Sequence, residues 1–441
     1  MKLSGWGRFP QVETEVRAPR EEAALRALVT GDRPVIARGN GRSYGDSAVG
    51  AGLTLDMRHF NHMLEFDAGT GRLVAEAGVL LGDVIDAFLP HGWFPLVTPG
   101  TRLITLGGAI AADVHGKNHH VEGSFGACVD WVEIMGPDGE VRRATRKDKD
   151  DLFWWTLGGM GLTGVILRAA IRLRPVETAW IKQTTLPAPD LATAMELFEA
   201  HGQDTYSVAW IDCMGQGAHL GRSLVILGEH AKLSDLDPKK SASPLDAGHK
   251  RKLSVPLDFP GFALNRWTVR AFNEAYYRMG VWNRGEALVD WDTYFYPLDS
   301  VLKWNRIYGR RGFAQFQCVI PLASAREGLT ELLQAIADAG AGSFLAVLKR
   351  FGAQDSAFSF PMEGYTLALD FPMKSHTLDL LERLDAIAVA HGGRFYLAKD
   401  SRMRAETLRQ ADARVRDFEE MRETLGLKAR FASAQSERLS L

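Results

Sequence analysis

Residues 99–120 hold the densest chemistry in this chain. A Pro99-Gly100 turn opens the stretch, Gly107-Gly108 leads into Ala109-Ile110-Ala111-Ala112, and His115, Lys117, Asn118, His119 and His120 close it. Small residues let backbone approach a ligand, and glycine takes up shapes that other residues resist. Free N–H groups in such a turn can face a phosphate or pyrophosphate. The His/Lys/Asn cluster then offers polar groups at the edge of whatever binds. One long, flat, charged cofactor would use every part. A zinc site on His115 and His119, four apart, is the competing chemistry. Gly116 weakens the helix it needs and Lys117 repels a cation, so no metal is expected.

Two further glycine loops support the cofactor reading. Gly39-Asn40-Gly41-Arg42-Ser43-Tyr44-Gly45-Asp46 follows a predicted strand, and Leu157-Gly158-Gly159-Met160-Gly161-Leu162-Thr163-Gly164 follows a short predicted helix. The first lacks the full dinucleotide fingerprint and, taken alone, reads as a plain turn.

The elements that must hold these loops are short. Apolar spacing predicts helices over 20–30, 81–89 and 150–156, and strands over 35–38, 53–56, 72–77 and 165–173, with a hairpin through Gly136-Pro137-Asp138-Gly139. Strands and helices do not alternate regularly, which favours an α+β class over a doubly wound sheet. After Pro175 the texture changes. Helices are predicted over 191–200, 326–339, 376–391 and 405–424. Strands are predicted over 206–212, 223–227, 291–296, 314–320, 344–350 and 366–371. Residues 232–256, rich in Lys, Ser, Asp and Pro, read as a mobile loop. The turn Phe259-Pro260-Gly261-Phe262 and an aromatic segment, 267–282, come next. An antiparallel sheet covered by helices would wall a pocket.

Composition sets outer bounds. The chain has 441 residues, 46% hydrophobic and 24% charged, with a net charge of −2. That is ordinary globular chemistry with no call for nucleic acid. No window approaches the ~20 apolar residues of a membrane span, and the first residues lack a signal-peptide core. Cys128, Cys213 and Cys318 suit a reducing cytoplasm as small buried hydrophobes.

The three glycine loops, at these intervals, resemble the FAD-binding domain of the vanillyl-alcohol oxidase type of flavoproteins. The runs 36–46 and 113–120 further resemble the decaprenylphosphoryl-β-D-ribose 2-oxidase family, the flavoprotein half of an epimerase that makes decaprenylphosphoryl arabinose. The likeness runs almost end to end, through Gly5-Trp6-Gly7-Arg8, Gly161-Leu162-Thr163-Gly164, Ala209-Trp210, Gln315-Phe316-Gln317, Asp370-Phe371-Pro372 and Ala398-Lys399-Asp400-Ser401-Arg402. It departs at Ala368 and Thr366, where relatives carry Cys and Asn, and around Tyr294-Phe295-Tyr296-Pro297.

The resemblance implies roles. Ala37, Arg38, Gly39, Asn40, Gly41, Arg42, Ser43, Tyr44, Gly45, Asp46 and Ser47 would wrap the FAD pyrophosphate. Gly100, Thr105, Leu106, Gly107, Gly108, Ala112, Asp113, Val114 and His115 would line the cofactor, with Val165 at the adenine and Tyr396 at the flavin. Covalent relatives attach flavin to a His where Arg42 and Ser43 stand, so non-covalent FAD is expected. The cofactor domain would comprise 1–175 and 394–441, with a substrate domain, 176–393, inserted. Oxidising the ribose 2-hydroxyl moves a hydride to flavin N5 and a proton off oxygen. Lys399 is the family's candidate base or hydroxyl donor, with His115 and Tyr44 beside it. Lys117, Gln315, Gln317, Lys349 and Trp210 would meet the substrate, the two lysines through phosphate charge. A polyprenyl-phosphoryl sugar, a separate NAD(P)H-dependent short-chain reductase and the inner face of a membrane are the implied partners and place.

Two other functions compete. Alditol and aldonolactone oxidases of the superfamily carry the covalent His and a His-Trp-x-Lys motif, where this chain reads Tyr396-Leu397-Ala398-Lys399. An inert sugar- or lipid-binding module would not need Lys399 or intact glycine loops.

Overall fold

Three sheets position the glycine loops and the wall that faces them. The computed structural model describes residues 1–50, 52–148, 151–248, 252–260, 264–343 and 345–441. A small parallel sheet aligns Glu15–Arg17, Leu53–Asp56 and Val35–Arg38. An antiparallel sheet follows in the order Val141–Thr145, Val129–Met135, Val165–Pro175, Arg72–Glu76, Met63–Asp67, and Trp93–Pro95 joins the long strand's far end. Helix Leu106–Ala111 is capped by Thr105, whose hydroxyl accepts from the Gly108 N–H at 3.2 Å.

The third sheet is antiparallel and eight-stranded. Its order is Gly285–Asp290, Trp180–Ala188, Ser223–His230, Tyr206–Ile211, Ala346–Phe351, Gly364–Pro372, Phe313–Pro321, Arg394–Phe395. Side chains on a strand alternate between faces. Phe316, Cys318, Ile320, Leu367 and Leu369 turn to one face and are fully buried. Helices Leu322–Ala339 and Thr377–Ala390 pack against these strands. The other face carries Gln315, Gln317, Lys349, Thr366 and Ala368. The register pairs Gln317 with Ala368 and Lys349 with Thr366, so the five form one patch.

The C-terminal segment returns to the first sheet. Phe431 bridges Val35, and the Ala432 N–H donates to the Val35 carbonyl at 3.1 Å. The α+β class holds, with helices set against antiparallel sheets.

Some expectations fail for physical reasons. Residues 291–296 are not a strand: Asp290 ends the preceding strand, and its carboxylate accepts from the Thr293 N–H at 3.0 Å, starting the short helix Trp291–Phe295. The helix over 405–424 is two, Ala405–Ala411 and Val415–Thr424. Asp412 breaks it in extended geometry, held by Arg414 at 2.6 Å and Arg394 at 3.3 Å. Residues Trp180–Ala188, which carry no strand signal in the sequence reading, form a strand, and residues 267–282 fall within a regular helix, Arg266–Trp282. The segment 232–256 contains short helical turns, Leu233–Asp235 and Pro238–Ser241, and a strand, Leu253–Ser254. The predicted starts at Asp150 and Phe344, residues 249–251 of the loop, and Gly261-Phe262 lie outside the described residues.

Candidate active site

One cavity runs between the glycine loops and the patterned face of the large sheet. From the first loop come Ala37, Gly39, Asn40, Gly41, Arg42, Ser43, Tyr44 and Ser47; from the second come Gly100, Thr105, Gly107, Gly108, Ala112, Val114 and His115. The opposite wall holds Gln315, Gln317 and Lys349, and Tyr396 and Lys399 enter from the C-terminal segment.

Backbone contacts clamp these pieces together. The Tyr44 N–H donates to the Ala398 carbonyl at 2.9 Å and the Trp6 N–H to the Ser43 carbonyl at 2.8 Å. A Cβ on Gly45 would lie 2.0 Å from the Asp400 carbonyl oxygen, so only glycine allows that approach. Buried charges lock the same junction. Arg438 pairs with Asp46 at 2.8 Å and Asp400 at 2.9 Å, and Arg402 holds Asp385 at 2.7 Å.

Several named residues lie behind the cavity wall. The Arg38 guanidinium donates to the Ser4 carbonyl at 2.8 Å. Asp113, at φ 40°, accepts from Ser124 at 2.6 Å and from the Gly126 N–H at 2.7 Å. Leu106 and Val165 are core residues, although Val165's neighbours Gly164 and Ile166 reach the cavity. Gly45 and Asp46 serve the clamp just described. Lys117 is half-buried outside the wall, with its amine on the Tyr294 carbonyl and over the Tyr294 ring. Trp210 packs on Tyr276 at 4.8 Å and pairs in register with cavity-lining Val347.

The polar groups of the wall are interlocked. Gln317 donates to His115 Nε2 at 3.0 Å and to the Thr366 hydroxyl at 3.3 Å. Gln315 donates to Asp370. The Lys399 Nζ lies 3.5 Å from the centroid of the Tyr44 ring. Burial, with Lys349 and other cations nearby, holds the His115 imidazole well below its usual value, so it is neutral at pH 7. Burial lowers Lys349 to about 8, and burial and Lys349 lower Lys117 to about 7. Burial pushes the Tyr44 phenol up and the Lys399 ammonium down; the charge of buried Asp370 opposes that fall in Lys399.

Comparison with known proteins places this geometry. Residues 15–145 match the family described as FAD binding domain. Along its full length the chain is 39% identical to decaprenylphosphoryl-beta-D-ribose oxidase of Mycolicibacterium smegmatis, covering 97% of that protein. This chain belongs to the decaprenylphosphoryl-β-D-ribose oxidase family. It is an FAD-dependent oxidoreductase. An uncharacterised protein of Streptomyces coelicolor is 33% identical over 82% of this chain and 100% of its own length. Cytokinin dehydrogenase 7 of Oryza sativa subsp. japonica is 30% identical over 43% of this chain and 37% of its own.

The cavity suits the cofactor of this oxidase family. A Cβ at Gly39 would lie 2.1 Å from the Thr105 hydroxyl and one at Gly107 2.8 Å from Ala77, so two loops approach through their glycines. Arg42 Nε, Ser47 Oγ and His115 Nδ1 are buried without a hydrogen-bond partner among the described residues, an arrangement that calls for a polar ligand.

Sequence reasoning missed other parts of the oxidase site. Asp299 lines the cavity and accepts from the Thr101 hydroxyl and the Arg102 N–H, each at 2.9 Å. Trp304 and Val347 also line it, as does Trp6, whose ring centroid lies 4.1 Å from the Arg42 guanidinium. Asp370 belongs to the Asp370-Phe371-Pro372 run, but only strand pairing opposite Gln315 sets it beside that residue on the wall's face.

Proposed function

We propose that this oxidase converts the 2-hydroxyl of a polyprenyl-phosphoryl-β-D-ribose to the 2-keto sugar, the first half of epimerisation to the arabinose form. The observation that carries the reading is Lys349. It faces the cavity beside Gln317 and Thr366 and has no ion-pair partner among the described residues. A half-buried cation in a cavity without a counter-ion favours an anionic ligand group, and the sugar's phosphodiester supplies one. The relative named above acts, by its name, on decaprenylphosphoryl ribose.

When bound, FAD accepts the hydride that the reacting carbon loses. Lys399, its ammonium form weakened by burial, takes the hydroxyl proton on Nζ. The Tyr44 ring covers that amine, and Asp370 keeps it from being neutral too readily. His115, kept neutral and held through Nε2 by Gln317, leaves Nδ1 to meet a ligand. FAD is held without a covalent bond, since Arg42 and Ser43 occupy the cradle where a linking histidine would stand. Residues 1–175 with 394–441 form the cofactor unit and 176–393 the substrate unit, with strand Arg394–Phe395 joining the two by pairing to Phe313–Pro321 of the substrate unit's sheet. Returning the 2-keto product to an alcohol needs a hydride donor, a task assigned to a separate NAD(P)H-dependent reductase. The enzyme works in the cytoplasm at the membrane's inner face.

Anaerobic mixing with substrate tests the reading. A short-chain polyprenyl-phosphoryl ribose bleaches the flavin, and free ribose and xylitol do so far more slowly. Equal bleaching by xylitol or a lactone assigns the site to an alditol or lactone oxidase. Acid precipitation releases the flavin to the supernatant; flavin retained on the polypeptide refutes the non-covalent cradle.

A further inference from the structure

Helix Arg266–Trp282 turns an apolar side outward. Its inner side is settled: Val269 and Asn273 are buried, and Asn273 donates to Asp212 at 2.7 Å. Tyr276 packs on Trp210, and Gly280 leaves no room for a Cβ against Leu224. At 100° per residue the outward arc carries Trp267, Ala271, Phe272, Ala275, Met279 and Trp282, with Thr268 and Arg278 set among them. A helix on a water-facing surface normally sets polar residues there. Instead Trp267 is 67% exposed, Met279 55% and Trp282 88%. Nearby in the chain, Leu253, Leu257 and Phe259 are also exposed. Elsewhere among the described residues, large exposed apolar side chains such as Leu64 and Leu425 are scattered through the sequence.

The helix is basic on and around this face: Arg278 lies within it, Arg270 borders it, and Arg266 and Arg284 stand at the helix ends, against the helix's lone Glu274, which is already paired with Arg222 at 2.7 Å and Arg278 at 2.6 Å. This is a cationic helix in a chain of net charge −2. Arg310, Arg311 and Lys374 line a surface pocket with exposed Phe259. At 1.5 Å per residue the helix is roughly 25 Å long, yet among the described residues no helix is long and apolar enough to cross a membrane.

We infer that this face docks on an anionic lipid bilayer, with the helix lying in the interfacial plane, its tryptophans and Met279 among the acyl chains and its arginines on headgroup phosphates. The surface adjoins the site. Leu253–Ser254 pairs with Val301–Leu302, between cavity-lining Asp299 and Trp304. Leu264, two residues before the helix, packs on the Trp304–Phe313 cluster. Docking here sets the Asp299–Trp304 side of the cavity towards the bilayer that would hold a prenyl chain. That use rests on the substrate reading above; the docking itself does not.

Co-sedimentation of the FAD-loaded protein with vesicles tests it. Vesicles of phosphatidylcholine with one-third phosphatidylglycerol sediment the protein at least tenfold more strongly than phosphatidylcholine alone, and high salt weakens the binding. The triple variant Trp267→Ser, Met279→Ser, Trp282→Ser loses at least tenfold of that binding while keeping its flavin spectrum and its rate with a short-chain soluble substrate. Leu64→Ser with Leu425→Ser changes nothing. Wild-type protein that stays in the supernatant, a triple variant that sediments like wild type, or equal binding to neutral and anionic vesicles overturns the inference. So does a wild-type dimer that the triple variant dissociates without any vesicle binding, since the face then belongs to a second copy. Vesicle binding is read without turnover, so its failure is distinct from a wrong sugar.

Discussion

The two walls of the cavity are built from different material. The cradle wall, from residues 37–48 and 99–115, is built on close backbone approach, with Gly39 and Gly107 in places where a Cβ would collide with Thr105 and Ala77. The sheet wall presents long side chains to the cavity, Gln315, Gln317 and Lys349, and burial sets the proton affinity of Lys349. The first wall recognises shape and tolerates little change in volume. The second sets charge and proton traffic, and its chemistry follows from the neighbours each group is given. Lys399 belongs to the second kind but is delivered by the clamp that closes the first, through the Tyr44–Ala398 hydrogen bond.

Substitutions on each side test that separation. Lys399→Ala has the largest expected effect: substrate-driven flavin reduction in stopped flow falls by roughly 10²–10⁴, while bound FAD, read by absorbance, is retained. Reduction within tenfold of wild type would remove Lys399 from the proton transfer. Gly39→Ala acts on the other wall. Overpacking costs about 1–3 kcal/mol, which weakens FAD binding in a titration of the apoprotein by roughly 5- to 150-fold. An unchanged affinity would show that the loop gives way and shape matters little.

Lys349→Ala is narrower. A charge-assisted hydrogen bond is worth about 1.5–3 kcal/mol, so kcat/KM for the phosphoryl ribose drops by roughly 10- to 150-fold and free ribose is unaffected. Equal losses for both sugars would make Lys349 a general structural residue. Asp370→Asn has the smallest effect and the clearest sign. The Asp370 charge raises the Lys399 pKa against the lowering caused by burial. Removing it lowers that pKa further, so more amine is neutral at a given pH and the acid limb of the reduction rate moves to lower pH. A limb that stays put or moves up breaks the link between the two residues.

Local chemistry made much of the framework legible. Strands Val35–Arg38 and Leu53–Asp56 and helix Leu191–Ala200 have the bounds their patterns suggest, because each is short, strongly patterned and flanked by turn residues or a capping Asp190. Aromatic residues at 291–296 suit a strand by propensity, but the Asp290 cap decides for a helix. The continuous periodicity of 405–424 hid the break at Asp412, because the arginines that hold its carboxylate include Arg394, which lies outside that helical stretch.

What the sequence determined by itself is the cradle: glycine positions and small-residue runs declare close backbone approach wherever they occur, since that property belongs to the residue and its neighbours. Tertiary structure alone decided the opposite wall. Gln315, Lys349 and Thr366 face one cavity only through the register of three strands, and Asp299 and Trp304 reach it through segments distant in the chain. It also decided that Lys117 points to the Tyr294 carbonyl while Lys349 is left facing the cavity. A lysine's charge is written in the sequence, but its counter-ion, its burial and hence its proton affinity depend on groups that only folding brings near.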